Sequence, residues 1–267
     1  MRPRTVLATG LALLLLLGGC GDGTASGRWA AGPDPDPVAS APLPAEPAPS
    51  AGPRPTRSAP PRRLVRPLPT KLPAGLRRTT GVRTVALTFD DGPDPAWTPK
   101  ILDRLRAARV TATFCVVGTQ ARRHPELVRR IVREGHQLCN HSWNHDLNLA
   151  RRPAAEIRRD LLRTNAAIRA AVPGAKVPFY RQPGGRWTSE VVTVARQLGM
   201  RGLHWQVDPQ DWGKPTAATI AKRVHVAARP GSVVLLHDGG GDRAATLAAC
   251  PPLIADLKRR YGVARLR

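Results

Sequence analysis

The hydrophobic pattern of this chain changes at about Val82. Beyond that point short apolar runs alternate with stretches whose apolar residues recur every three or four positions, the periods of strand and helix. Val85-Ala86-Leu87-Thr88-Phe89 predicts a buried strand. A short helix is expected over Pro99–Ala107 with Thr98 as its N-cap, then a strand over Thr111–Val117. Glu126 to Val132 reads as helix ended by Gly135, and Gln137–Asn140 as a short strand. Pro153–Ala171 is an amphipathic helix. Three further strands are expected at Val177–Arg181, Gly202–Asp208 and Ser232–His237. Helices near 189–198, 216–228 and 243–259 lie between or after them, and Val263–Leu266 reads as a closing strand. Strands alternating with helices imply a parallel α/β sheet with helices outside it, open or closed into a barrel.

Before Val82 the pattern is absent. Residues 21–81 are dense in Pro, Ala, Ser and Gly, carry no apolar period and are read as a tether without a core. Repeated prolines from Pro33 to Pro44 favour extended, stiff geometry. Residues 1–20 are read as a targeting segment. Arg2 and Arg4 precede an apolar run, Leu7–Leu17, that is too short to span a bilayer. The run stops at Leu17-Gly18-Gly19-Cys20, which resembles a bacterial lipoprotein signal with Cys20 as the lipidated residue. The expectation is an exported membrane lipoprotein facing the cell wall; the alternative is a secreted protein with an ordinary signal peptide. Residues 82–267 are then the folded domain.

Charge changes the picture little. The net charge of +23 allows an anionic partner, such as a phosphate-rich wall touched by the tether, whose Arg54–Arg78 stretch has eight basic residues and no acidic one. It also follows from an Arg-rich, Ala-rich and Pro-rich composition. No helix-turn-helix, zinc-finger or RNA-binding signature accompanies it, so nucleic acid is not expected as a partner.

The chemistry gathers at the strand ends. Asp90, Asp91, His141, Arg181, Asp208 and His237 all fall at or just past the C-terminal ends of predicted strands, the face on which a (β/α) barrel builds its site. One carboxylate and two imidazoles, Asp91 with His141 and His145, make a metal site with open positions. The i, i+4 spacing of the histidines suits one helix face or one tight loop. Asp90 is then left beside the metal as a general base, and Arg181 is the cation expected to keep it charged. His237, after Val233-Val234-Leu235-Leu236, is the expected general acid, with Asp208 or Asp211 as the carboxylate that keeps it protonated. Backbone N–H groups of Gln182-Pro183-Gly184-Gly185 suit a developing oxyanion. Trp212 is expected as a pocket wall and Trp205 as core. His124, His136, His204 and His225 are given no catalytic role. The set implies metal-assisted hydrolysis.

Five ordered segments carry a family resemblance: Thr88-Phe89-Asp90-Asp91-Gly92-Pro93, His141-Ser142-Trp143-Asn144-His145, Arg181-Gln182-Pro183-Gly184-Gly185, Asp208-Pro209-Gln210-Asp211-Trp212 and Leu235-Leu236-His237-Asp238. Together they resemble the polysaccharide deacetylases, the NodB homology domain of carbohydrate esterase family four, over residues 82–267. The resemblance implies a distorted (β/α)7 barrel and a divalent ion, usually Zn2+, with Co2+ or Ni2+ as alternatives. It implies hydrolysis of acetyl groups on sugars, with N-acetylglucosamine units of peptidoglycan or chitin-like oligomers as the leading substrate. The alternatives are an acetylxylan esterase or an inactive wall-binding module. It assigns Asp90 as base, Asp91, His141 and His145 as ligands, Arg181 and Asp211 as tuning residues, and His237 as acid. Leu235 and Trp212 become walls of the acetyl pocket, with Gly184 and Asp208 also at the substrate. Two positions depart from the family pattern. Gly184 stands where an aromatic residue is usual, and Cys115 stands where a second aromatic is common. Cys115 and Cys139 fall on neighbouring predicted strands, so a disulfide is one expectation and two buried thiols the other.

Overall fold

The computed structural model describes residues 68–266. The expected signal segment, Cys20 and most of the tether lie outside these residues. Six parallel strands form one sheet in the order β5-β4-β3-β2-β1-β6. They are β1 (Ala86–Asp90), β2 (Thr113–Val116), β3 (Gln137–Asn140), β4 (Phe179–Tyr180), β5 (Arg201–Gly202) and β6 (Val233–His237). Every residue of β1, β2 and β6 is buried, as expected for parallel strands covered on both faces. The helices are α1 (Thr98–Ala108), α2 (Gly118–Arg123), α3 (Pro125–Arg133), α4 (Ala154–Ala171), α5 (Ser189–Gln197), α6 (Ala217–Ala227) and α7 (Ala244–Arg260). Among the described residues no helix is long and apolar enough to cross a membrane.

Alternation along the strands separates two cores. Leu87 and Phe89 of β1, with Val234 and Leu236 of β6, belong to the large cluster shared with the helices. Ala86 and Val233 belong to a smaller cluster with Cys115, Cys139, Phe179, Leu203 and Leu266, which fills the inside of the curled sheet. The same two-residue step carries the inner row upward through Thr88 and Leu235 to Asp90 and His237, which are paired in register at the strand ends. The parity that buries Ala86 therefore also aims the carboxylate at the mouth. Cys115 and Cys139 are directly paired across β2 and β3 and are joined by a disulfide, the first of the two expectations. Cys250 is buried as a free thiol.

The expected parallel α/β fold is the one observed, with six strands among the described residues where the resemblance implies seven. Three expectations about single elements need correction. The strand expected at Gly202–Asp208 shrinks to β5 and two isolated bridges, Leu203 to Arg77 and Val207 to Val234 of β6. The intervening residues cross from one edge of the sheet to the other and cannot pair continuously with either. The closing strand at Val263–Leu266 is a single bridge from Val263 to Val85. Thr98 does not cap α1: Trp97 holds that position, and Asp94 Oδ1 accepts from the Ala96 and Trp97 amides instead. Thr98 Oγ1 accepts from the Asp94 amide and donates to Asp238 Oδ2 at 2.5 Å. Threonine does cap α5 and α6, through Thr188 and Thr216.

The chain before Val82 also contributes. Leu76 packs on the large core, the Arg77 amide donates to the Gly202 carbonyl at 2.8 Å, and the Thr80 amide donates to the Gly231 carbonyl at 2.8 Å. Bridges from Arg77 to Leu203 and from Thr79 to Ser232 touch both ends of the strand order. Residues 76–80, which the sequence pattern leaves in the tether, are thus hydrogen-bonded to the domain.

Candidate active site

Asp90 ends β1 and is 3% exposed. Arg181, one residue past β4 and wholly buried, places Nη1 2.7 Å from Asp90 Oδ1 and 2.8 Å from Thr88 Oγ1. Its other guanidinium nitrogens donate to the carbonyls of Leu203 and His204, so the fork is held on three sides. This pair is the one expected from sequence.

Asp91 turns out of the strand with φ +76°. Its Oδ1 lies 3.4 Å from His141 Nε2 and 3.3 Å from His145 Nε2. One ligand atom from each of the three residues falls within 4.8 Å of the others. The histidines share a tight loop, not a helix, with Ser142 and His145 both at positive φ. The loop is fixed from outside: Asn140 Oδ1 accepts the Ser142 amide at 2.9 Å, and Asp160 Oδ1 of α4 accepts the Trp143 amide at 2.8 Å. His141 Nδ1 lies 2.8 Å from the Arg181 carbonyl. A carbonyl only accepts, so Nδ1 carries a proton, which leaves Nε2, on the Asp91 side, as the nitrogen that can hold a metal.

The donor set fits a divalent ion. Asp91 Oδ1 is buried and makes no hydrogen bond, an arrangement that is costly without a cation beside it. Burial alone would raise the Asp91 carboxyl, but the imidazoles of His141, His237 and His145 around it hold it well below the ordinary range. The glycine loop after β6 closes over it: a Cβ on Gly240 would stand 2.5 Å from Asp91 Oδ2. Arg243, buried at the start of α7, ties that loop by donating to the Gly239 and Gly240 carbonyls.

His237 completes the site. Its Nδ1 lies 2.7 Å from Asp211 Oδ1, and its amide donates to Asp211 Oδ2 at 2.9 Å. Burial lowers the His237 imidazole, but the Asp211 hydrogen bond and charge outweigh burial and leave it raised. Of the two carboxylates expected beside His237, Asp211 is the one in contact with it. Asp208 instead accepts the Gln210 amide, while still lining the cavity. Burial pushes neighbouring Asp238 up to about 7; its hydrogen bond from Thr98 works against this, and the charges of Asp91 and Asp90 work with it. A Cβ on Gly92 would meet that carboxyl at 2.3 Å, so the position must be glycine.

These groups open into one cavity of about 520 Å³. Asp90, Asp91, His141, His145, Gly184, Asp208, Trp212, Leu235 and His237 all line it, while Arg181 and Asp211 sit behind the groups they hold. Trp205, expected as core, is only partly buried and lines the cavity too. Sequence reasoning missed Leu147, Arg186 and Arg243 in the wall and Asp160 behind the ligand loop. The run Gly239-Gly240-Gly241, separated from Arg243 by Asp242, was the available signal for a backbone closely packed on a site.

Comparison with known proteins points the same way. The family model for polysaccharide deacetylase matches residues 77–203. A chitooligosaccharide deacetylase of Sinorhizobium fredii is 44% identical over 177 residues, 66% of this chain and 77% of that protein. The solved structure of the peptidoglycan N-acetylglucosamine deacetylase Bc1960, in complex with 4-naphthalen-1-yl-N-oxidanyl-benzamide, is similar with a TM-score of 0.68 and 35% identity, covering 72% of this chain and 89% of that one. BA3943 of Bacillus anthracis, described as a CE4 family pseudoenzyme, is similar with a TM-score of 0.66 and 30% identity, over 71% and 66% of the two chains.

Proposed function

This chain belongs to the polysaccharide deacetylase family, and from that premise we propose that it hydrolyses the N-acetyl groups of N-acetylglucosamine units in peptidoglycan or chitin-like oligomers. The observation that carries the reading is the pairing of two buried charge couples, Arg181–Asp90 and Asp211–His237, around the three-ligand set of Asp91, His141 and His145. A pseudoenzyme shares this fold, so the fold alone does not argue for activity; the intact couples do.

Asp91, His141 and His145 would hold the divalent ion, with Zn2+ favoured by two imidazoles and one carboxylate. Bound there, it supplies a Lewis acid that polarises the acetyl carbonyl and acidifies water. Asp90, fixed by Arg181, takes the proton from water as the water oxygen bonds to the acetyl carbon. The Gly185 N–H is already engaged by the Gln182 carbonyl at 3.0 Å, and Pro183 has none. Within the Pro183–Gly185 turn, Gly184 then offers its N–H to the developing oxyanion. Protonated His237 gives its proton to the sugar nitrogen as the carbon–nitrogen bond breaks, leaving acetate and a free amine. Leu235 and Trp212 wall the acetyl methyl. The targeting segment and Cys20 support an exported, membrane-anchored enzyme that reaches the wall on its tether.

The test is acetate release by the zinc-loaded protein from peptidoglycan, chitin oligomers and acetylated xylan, with Asp90→Asn as control. Release from a glucosamine polymer, reduced about a thousandfold in the control, is the expected result. Release from xylan alone would make the protein an esterase. No release from any of the three, with zinc bound, would favour an inactive wall-binding module.

A further inference from the structure

Leu147 lies two residues beyond the ligand His145, in a turn closed by the Leu149 amide on the Asp146 carbonyl at 3.1 Å. It is 37% exposed, and Trp212, at 54%, is the other exposed large apolar side chain lining the cavity among the described residues. Gly184 has φ +60°, and a Cβ built there would lie 2.9 Å from Leu147 Cδ2. The space beside the Gly184 turn is therefore filled by a side chain from a different segment. Glycine at 184 and leucine at 147 are two halves of one piece of wall.

We propose that Leu147 is a specificity-determining residue that packs on the apolar C–H face of the sugar ring carrying the acetyl group. The proposal rests on the deacetylase reading and adds to it a contact for the ring, distinct from the groups that act on the acetyl. Leaving a leucine in water at a cavity mouth is unfavourable, and a pyranose face covering it recovers the difference. Arg186 sits beside the same turn, with Cγ 3.8 Å from the Gly184 Cβ position, so the apolar patch is bordered by a cation that can reach sugar hydroxyls. Leu147 itself has no polar atom and does no chemistry. Its contribution is binding energy felt equally before and during reaction, which lowers KM and leaves kcat unchanged.

The experiment compares wild type, Leu147→Ala and Leu147→Met in the full-length, zinc-loaded protein. Two substrates are used: an N-acetylglucosamine tetramer, and 4-nitrophenyl acetate, an acetyl ester without a sugar ring. Leu147→Ala is expected to raise KM for the tetramer about tenfold, keep kcat within about twofold and leave the ester unchanged. Leu147→Met, similar in volume, should keep the wild-type KM. An unchanged KM in Leu147→Ala would overturn the proposal while leaving the deacetylase reading intact. Equal losses on tetramer and ester would also overturn it, by showing that Leu147 merely supports the ligand loop. A wild type that releases no acetate from the tetramer or any other glucosamine substrate would remove both readings.

Discussion

Asp211 accepts from three donors at once: the His237 ring, the His237 amide and Thr246 Oγ1 at 2.8 Å. Its hydrogen bond and its charge together lift the imidazole above its ordinary value against burial. On the proposed mechanism the protonated acid is present below that raised value and is lost as pH rises through it, so His237 is expected to set the alkaline limb of the rate profile. Asp211→Asn keeps an acceptor for Nδ1 but removes the charge. Its alkaline limb is expected to move to lower pH by about one unit or more, with kcat at neutral pH down about a hundredfold. A kcat profile of the two proteins checks this, and an unmoved limb would rule out Asp211 as the tuning group. At this scale the reacting residues were legible because each ends a strand pattern in a short polar motif. Leu147 and Arg243 were not, because an isolated leucine or arginine acquires meaning only from what folds against it.

The disulfide between Cys115 and Cys139 closes a loop with a sequence separation of 24 that contains α2 and α3. Chain entropy gives such a closure about 3 kcal/mol of stability. Reduction is expected to lower the urea midpoint by the corresponding amount; coincident unfolding curves with and without reductant would mean that the bond adds nothing. The helices of this chain were legible as elements because their apolar period persists over several turns, as in α4 and α7. Short elements were harder. The two-residue strands β4 and β5 are defined by the strands they pair with and not by a pattern of their own. The short α2 follows β2 directly, and the residues that would mark its start are Val117 and Gly118, neither of which caps with a side chain.

Over the whole molecule, alternation of strand and helix was sufficient for the fold class, and the strand-end rule for the location of the site. What it could not supply was closure, since the ring is completed by irregular backbone. Metal should act at this scale as well. Asp91 Oδ1 is buried without a partner, so an ion that binds only the folded state stabilises all of it. Zinc at about a hundredfold over its Kd adds about 2.7 kcal/mol, or about 5–10 °C in Tm for a domain of this size. Thermal unfolding with zinc and with chelator measures the difference. The gain should vanish in Asp91→Asn, and a gain that survives there would place the ion elsewhere.

The bridges made by Arg77 and Thr79 also bear on how the protein behaves in a crowd. A parallel sheet that stopped at β5 and β6 would offer two rows of unpaired amides and carbonyls, each a template for a strand from another molecule. Here Arg77 of the incoming chain lies along the β5 row at Gly202 and Leu203, while Val207 takes up the row at β6 and Thr79 meets Ser232 just ahead of it. The end of the tether thus acts as a hem. Trimmed at Val82 the domain would keep every catalytic group and lose its guard against self-association; trimmed ahead of Leu76 it would keep both.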